Sequence, residues 1–143
     1  ISCFFANTNL SLKNKIKLNE LFLKVGKTVW LKNESQIDKA TAVSGSGPGY
    51  VFTLIHGFEK AAQKLGFSKN QSRDLIISTI LGSIHLMQET KKESQELAKQ
   101  IAVKGGTTEA GINNLKNNKI DKIIFTTFKS AYERAKILSK KNQ

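Results

Sequence analysis

Ser44-Gly45-Ser46-Gly47-Pro48-Gly49-Tyr50 separates two kinds of chain. Beyond it, Val51, Leu54, Ile55, Phe58, Ala62 and Leu65 recur every three or four residues, the spacing of one helix face. Pro48 suits the first turn of that helix, where its missing N–H forfeits no bond. Ahead of it the apolar residues come in short runs instead, at residues 1–5 and 28–31, and read as strands. Between those runs Ser11 is an N-cap candidate for a helix carrying Ile16, Leu18, Leu21, Phe22 and Leu23. Gly26 is expected at the C′ position that ends it. Strand, helix, strand in this order favours parallel pairing. Two strands and one helix are too little to stand alone, so the segment reads as the tail of an α/β domain. Residues 32–39 are polar and read as a junction.

Downstream the pattern stays helical. Gly66 closes the first long helix, and Ser68 with Gln71 forms a capping box for the next. That second helix carries Leu75, Ile76, Thr79, Ile80, Ser83, Ile84 and Met87 on one side. A shorter helix holds Leu97 and Ile101, residues 104–108 interrupt, and another short helix runs over about residues 108–115 until Asn117-Asn118. The last begins near Asp121, with Ile124, Phe128, Ala131, Tyr132, Ala135 and Leu138 on one face. The expected fold class is therefore mainly α, a helical bundle behind a β-α-β unit. Leu75-Ile76-Ile77 and Ile123-Ile124-Phe125 place apolar groups in nearly every direction. A bundle of this size has little interior for them, which predicts an oligomer whose interface completes the core.

Composition excludes several classes. The 143 residues carry 23 Lys+Arg against 11 Asp+Glu, a net charge of +12. A nucleic-acid interface is one reading of that charge. However, only Arg73 and Arg134 are arginines, and the lysines scatter from Lys13 to Lys141. Bidentate recognition of phosphates and bases favours Arg, so a solvated lysine surface is the better reading. No apolar run reaches the roughly 18 residues of a membrane span. Residues 1–5 lack the basic start and long apolar stretch of a signal peptide. Cys3 is the only cysteine, which fits a reducing, cytoplasmic setting. Residue 1 is Ile and the only Met is Met87, so an upstream segment is expected, in this protein or in a longer ancestor.

Two glycine turns could carry chemistry. Around Ser44 and Ser46, backbone N–H groups could approach an anion, or the stretch is a tight entry turn with Ser46 as cap. It is neither a Walker motif nor the dinucleotide fingerprint, since the spacings differ. The second turn is Lys104-Gly105-Gly106-Thr107-Thr108, again opening a helix. Paired glycines would free N–H donors there, and the Thr hydroxyls would cap the helix or hold a carboxylate at its positive end. His56 and His85 lie on separate helices without ligands at metal spacing, so no metal site is expected. Cys3 has no activating base, and Tyr50 and Tyr132 read as core or interface residues. No catalytic residue is assigned.

The stretches Thr41-Ala42-Val43-Ser44-Gly45-Ser46-Gly47-Pro48-Gly49-Tyr50-Val51, Leu65-Gly66, Leu81-Gly82, Gly105-Gly106-Thr107-Thr108 and Ala131-Tyr132-Glu133-Arg134, in this order and spacing, resemble pyrroline-5-carboxylate reductase. The resemblance covers residues 38–138 or so, and Gly26-Lys27-Thr28-Val29-Trp30-Leu31 looks like the last strand of that family's nucleotide domain. It implies reduction of 1-pyrroline-5-carboxylate to L-proline with NADPH or NADH, in proline biosynthesis. It implies that residues 1–35 are the end of a Rossmann-type nucleotide-binding domain and residues 36–143 a helical dimerisation and substrate-binding domain. It further implies a homodimer, open to higher assembly, with a small-molecule substrate and neither nucleic acid nor membrane as partner. The substrate carboxylate would rest on Gly105, Gly106, Thr107 and Thr108, with Ser44 and Ser46 shaping the cleft floor. The departures are specific. No Gly-x-Gly-x-x-Gly follows a strand, so the chain alone is not expected to bind the cofactor. Val103-Lys104 replaces the family's usual Ser-Pro, and Gly49 a usual Ala. The alternative function is a truncated, inactive remnant that keeps only the helical dimer module.

Overall fold

Ser11 and Ser68 both begin helices, as their positions predict. The protein is described by a computed structural model over residues 1–141. The order is β1 (Ser2–Phe4), α1 (Leu12–Leu23), β2 (Thr28–Trp30), α2 (Gln36–Ala40), a π-helical segment (Thr41–Gly45), α3 (Gly47–Lys64), α4 (Lys69–Thr90), α5 (Ser94–Ile101), α6 (Thr107–Asn117) and α7 (Ile120–Lys141). The fold is mainly helical with one small parallel sheet, as the residue pattern and the resemblance both imply. The chain packs as two units, one holding Ile1–Pro48 and the chain from Phe125 onward, the other Gly49–Ile124.

In the first unit, β1 and β2 pair in parallel with Ser2 opposite Thr28, Cys3 opposite Val29 and Phe4 opposite Trp30. Bonds from Ser2 N–H to Lys27 O (2.8 Å) and from Leu31 N–H to Phe4 O (2.7 Å) frame the ladder. One side of the sheet is tied to α1. Phe4 stands edge-on to Phe22 with centroids 4.8 Å apart, and lies 5.2 Å from the Trp30 ring. Asn19 of α1 accepts from both the Thr28 hydroxyl and the Trp30 indole N–H, so one side chain fixes two strand residues. Lys15 caps the Trp30 ring at 4.6 Å. Ser11 caps α1 by accepting from Asn14 N–H. Gly26 has φ +141°, but it stands two residues beyond the cap residue Lys24 instead of one, since α1 ends with its last apolar residue, Leu23.

The segment expected to be a polar junction, residues 32–39, is helical from Gln36. Asn33 and Glu34 carbonyls accept from Gln36 and Ile37 N–H groups, so polar residues start the helix locally. Its other end is held within the same unit by Ser139 of α7, whose hydroxyl donates to Asp38 at 3.3 Å. Tyr132 of α7 lies between Lys39 (5.9 Å) and Lys136 (5.2 Å), an arrangement that cation–π attraction favours. Lys136 also pairs with Glu133 at 2.9 Å, and that hydrogen bond holds its ammonium above the usual lysine range.

In the second unit, the turn between α3 and α4 is a Schellman motif. Phe67 N–H reaches Ala62 O (3.3 Å) and Gly66 N–H reaches Gln63 O (3.0 Å), with Gly66 at φ +102°. Ser68 and Gln71 complete the capping box: Ser68 Oγ accepts from Gln71 N–H and Gln71 Oε1 from Ser68 N–H. Among the described residues only Ala42 and Ser72 are fully buried. Large apolar side chains stay open to water on every long helix of the bundle: Phe52 of α3 at 69%, Leu81 of α4 at 52% and Phe125 of α7 at 66%.

Two glycines give opposite expectations from the same substitution. A Cβ on Gly49 meets nothing within 4 Å and the residue is helical, so Gly49→Ala should stabilise by about 0.5–1 kcal/mol. Gly66 has equal space but φ +102°, so Gly66→Ala should destabilise by about 1–2 kcal/mol. Urea unfolding at one fixed protein concentration measures both.

Candidate functional site

The Gly-Ser stretch is not an open turn. Residues 41–45 continue α2 as a π-helix, and Ser46 N–H donates five residues back to Thr41 O at 2.9 Å. This corrects the expected entry turn capped by Ser46. The wider winding accommodates one extra residue, and the Thr41 hydroxyl secures it by donating to Ile37 O at 3.0 Å. Its effect is positional. Ser44 and Gly45 line a cavity of about 400 Å³ together with Ile1, Cys3, Ile37, Ala40, Thr41 and Pro48, all in the first unit. Ser46 is half-buried and does not line it. On another part of the same unit Ala42 and Val43 line a mainly apolar groove of about 380 Å³ with Phe125, Phe128 and Tyr132.

The second turn belongs to the other unit. Gly106 is the N-cap of α6, and no side chain caps it. Thr107 and Thr108 are therefore the first two helical residues, one step too late for their hydroxyls to reach forward to the open N–H groups. This corrects the expectation that they cap the helix. The glycine donors are also spent. Gly106 N–H bonds to Val103 O at 3.0 Å and Gly105 N–H to Glu109 Oε2 at 2.8 Å. What the turn leaves open are the N–H groups of Thr107, Thr108 and Glu109, which precede the first bond of α6, from Ala110 N–H to Gly106 O. Three such donors at the positive end of a helix suit one carboxylate.

Both glycines are needed for this shape. Gly105 has φ +76°, the left-handed region. A Cβ on Gly106 would stand 2.9 Å from Val103 Cγ2 and 3.0 Å from Val103 O. Val103 thus supplies the carbonyl that folds the turn. Glu109 escaped the reading of the sequence, although an acidic residue in the first turn of a helix is itself a signal. Among the described residues no three His, Cys, Asp or Glu gather to hold a metal, and no helix is long and apolar enough to cross a membrane.

Gly106→Ala tests the turn. The added methyl forces Val103 aside, so the amide signals of residues 103–109 should move in a nitrogen–proton correlation spectrum while those of α1 stay in place. An unperturbed turn would contradict the crowding at Val103.

Comparisons with known proteins agree with this architecture. Residues 34–138 match the family described as pyrroline-5-carboxylate reductase dimerisation. Pyrroline-5-carboxylate reductase from Pseudomonas aeruginosa is 34% identical over 134 residues, which is 94% of this chain and 49% of that protein. The solved pyrroline-5-carboxylate reductase from Coxiella burnetii superposes with a TM-score of 0.91 at 31% identity, over 96% of this chain and 51% of that one. The Plasmodium falciparum enzyme, solved with NADP bound, superposes with a TM-score of 0.83 at 30% identity, over 94% and 52%. The chain spans about half the length of the curated relatives it matches. It belongs to the pyrroline-5-carboxylate reductase family, most of it corresponding to that family's dimerisation domain.

Proposed function

We propose that this chain supplies the dimerisation and substrate-carboxylate-binding part of an enzyme that reduces 1-pyrroline-5-carboxylate to L-proline with NADPH or NADH, in the cytoplasm. The observation that carries this reading is the start of α6, where Gly105 and Gly106 shape the turn and the Thr107 and Thr108 N–H groups stay open within a family-matched segment. The Thr107 and Thr108 hydroxyls add donors at the first two helical positions. In the first unit, Ser44 and Ser46 remain the residues proposed to shape the substrate cleft, and Ser44 lines a cavity there.

The cofactor belongs to another segment. Residues 1–35 would be the end of the nucleotide domain and residues 36–143 the dimerisation and substrate domain. The described β-α-β unit does not fit a dinucleotide phosphate: Phe5-Ala6-Asn7-Thr8-Asn9-Leu10-Ser11 joins β1 to α1, with no glycine to let backbone approach a pyrophosphate. NADPH titrated into this chain alone should therefore show no micromolar binding. The alternative, an inactive helical module, keeps the dimer and loses the ligand.

A second copy of the chain is the proposed cover for the apolar helices. Each half-exposed Leu or Phe that becomes buried contributes on the order of 1 kcal/mol. Sedimentation at micromolar concentration should show a dimer, and Leu81→Glu or Phe125→Asp should shift it toward monomer. A stable wild-type monomer would refute the dimer. Thr108→Ala should weaken L-proline binding about tenfold, the loss of one hydrogen bond to a charged group, roughly 1.5 kcal/mol. Calorimetry with L-proline measures it, and an unchanged affinity would remove Thr108 from the site.

A further inference from the structure

We propose that the Glu109 side chain is the positioning group of the carboxylate-binding turn, its carboxylate acting through Gly105 and not touching the ligand. The proposal rests on the substrate reading above. Its starting point is the 2.8 Å bond from Gly105 N–H to Glu109 Oε2. Glycine visits positive and negative φ about equally, so nothing in Gly105 itself holds it at φ +76°. The turn is fixed from behind by the Gly106 N–H to Val103 O bond. In front, only the Glu109 carboxylate holds Gly105 among the described contacts.

The position of Glu109 explains the bond. It is the third helical residue of α6, from which an acidic side chain ordinarily reaches back to the N-cap N–H. Here the N-cap is Gly106, whose N–H is already spent on Val103 O, so Glu109 reaches one residue further. The N–H groups of Thr107, Thr108 and Glu109 precede the first bond of α6 and stay open beside this clamp.

Glu109 then has two opposed effects on an arriving carboxylate. Holding Gly105 removes backbone freedom that a ligand would otherwise have to freeze, and so favours binding. Its negative charge repels the ligand, a weak effect at an exposed site in salt. The balance predicts an order of affinities. Glu109→Gln keeps an oxygen acceptor and loses the charge. Glu109→Ala loses both.

The full chain and both variants are titrated with L-proline, and amide exchange is followed at Gly105. Glu109→Ala should bind about tenfold more weakly, with faster exchange at Gly105. Glu109→Gln should bind as the wild type does or up to about threefold tighter, with exchange unchanged. Wild-type affinity in Glu109→Ala, or equal weakness of the two variants, overturns the proposal. A wild-type chain that fails to bind L-proline overturns the substrate reading instead. The Gly105 signals then still test the clamp, and unaltered exchange in Glu109→Ala refutes it.

Discussion

Apolar surface has to leave water, and in this chain the helices leave little inside for it to leave into. With only Ala42 and Ser72 fully buried among the described residues, the long helices keep Phe52, Leu81 and Phe125 at least half exposed. Hydrophobic burial is the dominant favourable contribution to folding and to most association. A helix that is apolar on several sides therefore asks for neighbours on several sides. The family match to a dimerisation domain gives that demand an answer of the right kind.

Against that background the local backbone signals do much of the shaping. The α3–α4 connection is over-determined, with a Schellman turn at Gly66 followed at once by the Ser68–Gln71 box. The sheet is small, yet Phe4, Phe22, Trp30 and Asn19 bind it to α1 with rings on one part and a shared acceptor on another. The two turns of functional interest follow a different logic. In both, backbone bonds are rerouted: Ser46 reaches five residues back to Thr41, and Gly105 gives its N–H to the Glu109 side chain. Rerouting of this kind is expected where a site overrides regular geometry.

The fold was largely legible. Short β-branched and aromatic runs gave the strands, Ser11 and Ser68 gave the caps, Gly66 the stop, and the apolar spacing gave the long helices. The misses have physical causes. Residues 32–39 looked like a junction because they are polar, while Gln36 and Ile37 find carbonyl partners in Asn33 and Glu34. The glycine-rich stretch looked like a loop because glycine lowers helix propensity. Propensity is a weak prior, and residues 41–45 are wound on from α2 with the Thr41 hydroxyl bound to the preceding turn.

At the candidate site the sequence by itself determined where a turn had to be and which residues formed it: paired glycines followed by a helix permit little else. Glycine's missing side chain also fixed that the backbone there would be tightly folded. Only the tertiary structure decided which donors remain open. A hydrogen bond is spent once, and whether Gly105 offers its N–H to a ligand or to Glu109 depends on distances between atoms four residues apart, which composition and spacing do not contain. The same holds for Ser44, whose place beside Cys3 and Ile37 follows from a π-helical winding that no residue pattern announces.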